Sequence, residues 1–78
     1  MINLCEKWLI DILASEGIYL TPSNQRAVGR GIRRALGIDI ELGVCQEDWR
    51  MIRNRVSKDP MVRSELITMI REEIDKEK

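Results

Sequence analysis

The chain has 78 residues, with 13 basic and 13 acidic side chains, no histidine, 44% hydrophobic and 33% charged residues. A chain of that length forms one domain, residues 1–78, and buries only about 60% of its unfolded surface, so dimerisation or a partner is a ready source of added stability. The composition excludes disorder, and a formal charge of zero excludes strong long-range attraction for a polyanion, so any such attraction must be local.

From Ile2 to about Glu16, apolar residues at 4, 8, 9, 12 and 13 follow the helical period, and Ile2 and Ile10 widen the stripe. Such a helix is central to a bundle or forms half of an oligomer seam. Gly17 ends it. Thr21-Pro22 then reads as an N-cap followed by proline at the first helical position, where the missing N–H costs nothing. The second helix is expected to start there and to stop at Gly37, with Ile38 folding back on its last turn.

Ile38, Asp39, Ile40, Glu41 and Leu42 alternate apolar and polar, which permits a brief extended segment but is too short for a strand, and the stretch is read as a loop. Gln46 to Lys58 is a third helix, since Cys45, Trp49, Ile52 and Val56 are spaced i, i+4, i+7 and i+11. Asp59-Pro60 resets the chain, because the residue before proline avoids helix and aspartate caps the next start. A fourth helix follows from Pro60 to about Asp75, with Val62, Leu66, Ile70 and Ile74 on one stripe. On its outer side Arg71 and Asp75, and Glu72 and Lys76, stand at i, i+4. The expected fold is a small all-α, four-helix domain with short loops.

The segment Asn24–Leu36 carries the strongest chemical signal, because it holds four arginines and no acid. At about 100° per residue, Arg26, Arg30, Arg33 and Arg34 fall in one arc of roughly 100°, opposite Val28, Ile32, Ala35 and Leu36. One side is built for burial and the other for anions. Charge alternates in blocks around it: residues 23–37 carry +4, residues 38–48 carry −4 and residues 49–58 carry +4. Three readings follow. The arginines pair with Asp39, Glu41, Glu47 and Asp48 within the fold; or they meet duplex DNA, with Asn24 and Gln25 at the helix start reaching base edges; or the charge blocks dock on another protein.

Arg50 and Arg53, with Asn54, Ser57 and Lys58, lie on the outer side of the third helix and extend the basic surface, while Trp49, Ile52 and Val56 point inward. The connector between the second and third helices, about seven residues, is longer than the usual helix-turn-helix turn of about 3 to 4. Gly29 and Gly31 flank the apolar arc of the arginine helix. They should together weaken it by about 1–2 kcal/mol, which calls for close packing of a neighbouring helix or close approach of a ligand.

Catalysis is not expected. The chain lacks histidine, a metal-ligand cluster and a Gly-rich phosphate loop, and the adjacent pairs Glu47-Asp48 and Glu72-Glu73 point apart on a helix. Cys5 and Cys45 cannot make an ordinary zinc site and are read as small core residues, so no metal, cofactor or small-molecule substrate is expected. No apolar run approaches the roughly 20 residues of a membrane span, and the first residues lack the basic region of a secretory signal, which points to the cytoplasm.

The sequence therefore points to a non-enzymatic regulatory protein that contacts an anionic partner through Asn24, Gln25, Arg26, Arg30, Arg33, Arg34, Arg50 and Arg53. Duplex DNA is slightly favoured as that partner. The alternative is a protein-binding regulator or inhibitor, as a monomer or a homodimer, docking on an acidic protein surface through its charge blocks and through Ile2, Ile10, Leu13, Met61 and Met69.

Overall fold

A computed structural model of the chain describes residues 6–40, 42 and 46–77. Expectations that rest on Ile2, Leu4, Cys5, Glu41 and Cys45 lie outside the described residues. Within them the chain forms four helices and no strand: α1 (Lys7–Ser15), α2 (Gln25–Leu36), α3 (Asp48–Lys58) and α4 (Pro60–Lys76). The all-α expectation holds. Residues 38–40 are irregular, so the alternating stretch after Gly37 is a loop as far as it is described.

The helix ends follow from local chemistry. Gly17 has φ 77°, and behind it the N–H groups of Gly17 and Ile18 donate to the carbonyls of Ala14 at 3.0 Å and Leu13 at 2.8 Å. This is a Schellman closure, sealed by the apolar pair Leu13 and Ile18, which are both buried. Gly37, with φ 71°, closes α2 by a single bond to the carbonyl of Arg33 at 2.8 Å, the simpler left-handed cap. At the start of α4 the Asp59 side chain accepts from the Met61 N–H at 3.0 Å, and Pro60 occupies the first helical position.

The second helix begins at Gln25, three residues later than Thr21-Pro22 suggests. Asn24 decides this. Its side-chain oxygen accepts from the Thr21 N–H at 2.7 Å, its amide nitrogen donates to the Tyr19 carbonyl at 2.8 Å, and its own N–H bonds the Thr21 carbonyl at 3.1 Å. A turn closed this tightly around Pro22 holds the chain off the helix until Gln25. The third helix likewise starts at Asp48 rather than Gln46, after a tight turn in which Trp49 and Arg50 bond back to the carbonyls of Gln46 and Glu47, both at 3.1 Å.

One core joins all four helices: Leu9 and Leu13 from α1, Val28, Ile32 and Leu36 from α2, Trp49, Ile52 and Val56 from α3, and Leu66, Ile67 and Ile70 from α4. The apolar stripe expected on α2 is buried at Val28, Ile32 and Leu36, while Ala35 is half-buried and Ala27 and Gly31 are buried beside them. The α4 helix packs against both α2 and α3. Trp8 meets Trp49 edge to face, with ring centroids 6.2 Å apart and planes at 79°, which places α1 against α3.

Gly31 explains how closely α2 lies on α4. A β-carbon at Gly31 would stand 2.5 Å from the Cα and 2.8 Å from the N of Ile70, a distance no side chain tolerates. The helix penalty of this glycine is offset by backbone contact with α4. Gly29 has no such role, since a β-carbon there would meet only the Ile40 carbonyl at 3.8 Å.

A candidate basic interface

Among the described residues, the acidic run after α2 leaves most of the arginine stripe unpaired. Of Asp39, Glu47 and Asp48, only Asp39 pairs with an arginine, Arg33, at 3.3 Å, and both side chains are mostly exposed. The acids that engage Arg30 and Arg34 come instead from the far end of the chain, because α4 lies across α2 and sets its last turns beside them.

Glu73 is the centre of this network. Its side chain is only 6% exposed, and both its oxygens are engaged: Oε1 accepts from Arg30 Nε at 3.0 Å, and Oε2 accepts from Arg34 Nη1 at 2.8 Å and Lys76 Nζ at 2.9 Å. Hydrogen bonds from Lys76 and Arg30, then Arg34, outweigh the opposing effect of burial and hold the Glu73 carboxyl well below its ordinary value, at about 2. Glu73 also draws Lys76 away from the i−4 partner Glu72 that the spacing suggests. Beyond it, Arg30 Nη2 donates to Glu77, and Arg34 Nη2 lies 3.5 Å from Glu72. The Glu77 and Glu73 hydrogen bonds push the Arg30 guanidinium further up, so it stays charged.

Two other arginines hold the helices together. Arg71 donates to the Glu16 carbonyl at 2.9 Å, which satisfies the C-terminal end of α1. Arg55 reaches the Leu36 carbonyl at 3.4 Å, at the end of α2, where a cation also meets the negative end of the helix dipole.

The expected site residues therefore divide. Asn24 uses both its amide oxygen and its amide nitrogen in the turn before α2, and Arg30 and Arg34 are paired with acids at the end of α4. Gln25, Arg26 and Arg33 remain on the outer side of α2, where with Gly29 and Arg30 they line a groove of about 430 Å³ against Asp39, Ile40 and Leu42. Arg26 is exposed and has no ion pair with a described residue.

Arg50 and Arg53 are exposed on α3 and likewise form no ion pair among the described residues. A groove of about 460 Å³ runs along this side of α3, lined by Arg50, Met51, Asn54, Arg55 and Lys58, with Glu47 and Asp48 at its N-terminal end. Arg50, Asn54 and Lys58 follow one another at i, i+4 and i+8, on the face opposite Trp49, Ile52 and Val56. Lys58 belongs with the candidate residues for this reason, and the same spacing carries the signal in the sequence. Met51, 48% exposed, adds an apolar spot between the bases.

The apolar residues considered for a docking face divide, as far as they are described. Leu13 is fully buried in the core, Ile10 and Met69 are half-buried, and Met61 stands well exposed. Among the described residues no group of histidine, cysteine and carboxylate side chains is placed to hold a metal ion.

Fold and surface together define a small all-α domain whose outer helix α3 is basic and whose arginine helix α2 has two of its four arginines, Arg30 and Arg34, paired with acids at the end of α4. No protein-family model matches the chain, and no curated protein or solved structure matches it.

Proposed function

We propose that the protein is a non-enzymatic, cytoplasmic regulatory domain that binds duplex DNA through the outer face of α3, assisted by Arg26 and Arg33 on α2. The observation that carries this reading is the contrast between the two basic helices. Arg30 and Arg34 are neutralised by glutamates, whereas Arg50, Arg53 and Lys58 project from one helix without an acidic partner among the described residues. Arginine suits bidentate contact with phosphate or guanine, and Asn54 and Ser57 on the same helix supply short donors and acceptors for base edges. No helix among the described residues is long and apolar enough to cross a membrane.

The test is a fluorescence-anisotropy titration of a mixed-sequence duplex at about 50 and 200 mM salt, comparing the natural chain with an Arg50→Gln, Arg53→Gln, Lys58→Gln variant. Binding should weaken with salt, and the variant should lose about 2 to 3 from the slope of log K against log salt, at about 0.9 per phosphate contact. No binding at 50 mM sinks the DNA reading.

Met51 favours a second reading, in which the same face binds an acidic protein surface, as a monomer or with a second copy of the chain. An exposed methionine among bases matches an acidic partner that carries an apolar anchor, which a phosphate backbone does not offer. Met51→Ala separates the two, because it should leave DNA affinity unchanged and weaken a protein complex.

A further inference from the structure

The α2–α4 seam holds a pair of guanidinium groups in an arrangement that ordinary surface ion pairs do not need. Glu73, nearly buried, grips Arg30 through Nε at 3.0 Å and Arg34 through Nη1 at 2.8 Å, so one carboxylate orients two arginines a helical turn apart. Each arginine has a further nitrogen, Nη2, on a side chain that is 45% exposed in Arg30 and 38% exposed in Arg34. Those two nitrogens meet Glu77 and Glu72, whose side chains are 39% and 50% exposed. The inner contact fixes geometry, while the outer contacts are exposed ion pairs of the kind that contribute little and yield to competitors.

From this division we infer that Arg30 Nη2 and Arg34 Nη2 form a covered phosphate site, oriented by Glu73 and occupied in the free protein by the carboxylates of Glu72 and Glu77. A backbone phosphate of the duplex displaces those carboxylates and takes their hydrogen bonds. The inference rests on the DNA reading above and adds α2 as a second contact, engaged only when the glutamates are displaced. It also accounts for why arginine stands at both positions: two or more separate nitrogens are needed to hold the orienting carboxylate and the ligand at once, and lysine has a single one.

The test uses the same duplex titration with a Glu72→Gln, Glu77→Gln variant, which leaves Glu73 and its three cations in place. A control variant, Asp11→Asn with Glu65→Gln, removes as much negative charge from positions that do not contact Arg30 or Arg34. The uncovered variant should bind about three- to tenfold more tightly than the control at 50 mM salt, with a slope steeper by about 1 to 2, corresponding to one or two added phosphate contacts. Adding Arg30→Gln should remove most of that gain, and Arg34 and Lys76 still neutralise Glu73 in that chain. Circular dichroism melting verifies that each variant is folded.

The outcomes separate this site from the α3 face. If the natural chain binds but uncovering adds nothing beyond the control, the covered site is overturned and the α3 reading stands. If only the uncovered variant binds, the covered site is supported and the α3 reading falls. If neither binds at 50 mM, both are overturned.

Discussion

Gly31 rests directly on the backbone of Ile70, so closely that a single methyl group added to it would lie 2.5 Å from the Ile70 Cα and 2.7 Å from its Cγ1. This contact sets the spacing between α2 and α4, and through that spacing it determines that Arg30 and Arg34 reach Glu73. Gly31→Ala should therefore lower stability by about 1–3 kcal/mol, since the overpacking cost exceeds the roughly 1 kcal/mol that alanine gains in helix propensity. Gly29→Ala, two residues away, meets only ordinary contact with Ile40 and should raise stability by about 0.5–1 kcal/mol. Paired urea unfolding curves check both, and like-signed shifts would contradict the packing argument.

Glu73 should make stability depend on acidity in a definite window. Its carboxyl is held at about 2 in the folded chain, below the ordinary 4.5, so the folded state releases that proton more readily than the unfolded chain does. The contribution is fully present above 4.5 and is lost as the pH falls from about 4.5 towards 2. Unfolding measured at pH 7 and at pH 2.5 should show Glu73→Gln less stable than the natural chain at pH 7, with the difference shrinking at pH 2.5.

Asn24 is expected to act on folding and not on the anionic partner. Asn24→Ala removes the bonds to the Thr21 N–H and the Tyr19 carbonyl and should cost about 1–2 kcal/mol in a thermal or urea unfolding measurement. Its effect on duplex affinity should be nil, because both ends of the amide are held by the turn. A loss of affinity in the folded variant would return Asn24 to the interface.

Asp59 separates α3 from α4 by a single residue and caps the latter through its side chain. Asp59→Ala should cost about 0.5–2 kcal/mol, and Asp59→Asn, which keeps the accepting oxygen, should cost little. Thermal melts of the two variants provide the comparison, and equal losses would rule out the cap as the cause.

The sequence by itself determined the helices and most of their ends. Periodic apolar residues such as Trp49, Ile52 and Val56, or Leu66 and Ile70, mark a buried side at any helix surface, and Gly37, Asp59 and Pro60 act within a few residues of their own backbone. The arginine stripe of α2 and the outer bases of α3 were legible for the same reason, since both depend only on the helical period. The turn before α2 escaped that reading because Asn24 and Thr21-Pro22 offer competing local closures, and the bonds of Asn24 to Thr21 and Tyr19 decide between them.

Only the tertiary structure decided which arginines are spoken for. Glu73 stands 43 residues after Arg30 and 39 after Arg34, and neither spacing nor composition says which carboxylate will lie beside a given guanidinium. That choice depends on the approach of α4 to α2, which Gly31 permits and Ile70 fills. The nearer acids, at Asp39 and in the first turn of α3, are adjacent in the chain but do not reach Arg30 or Arg34. Ion pairing is set by distance in space and not by order along the chain, so two of the four arginines of α2 are paired with acids of the α4 end, while Arg50 and Arg53 of α3 carry no ion pair among the described residues.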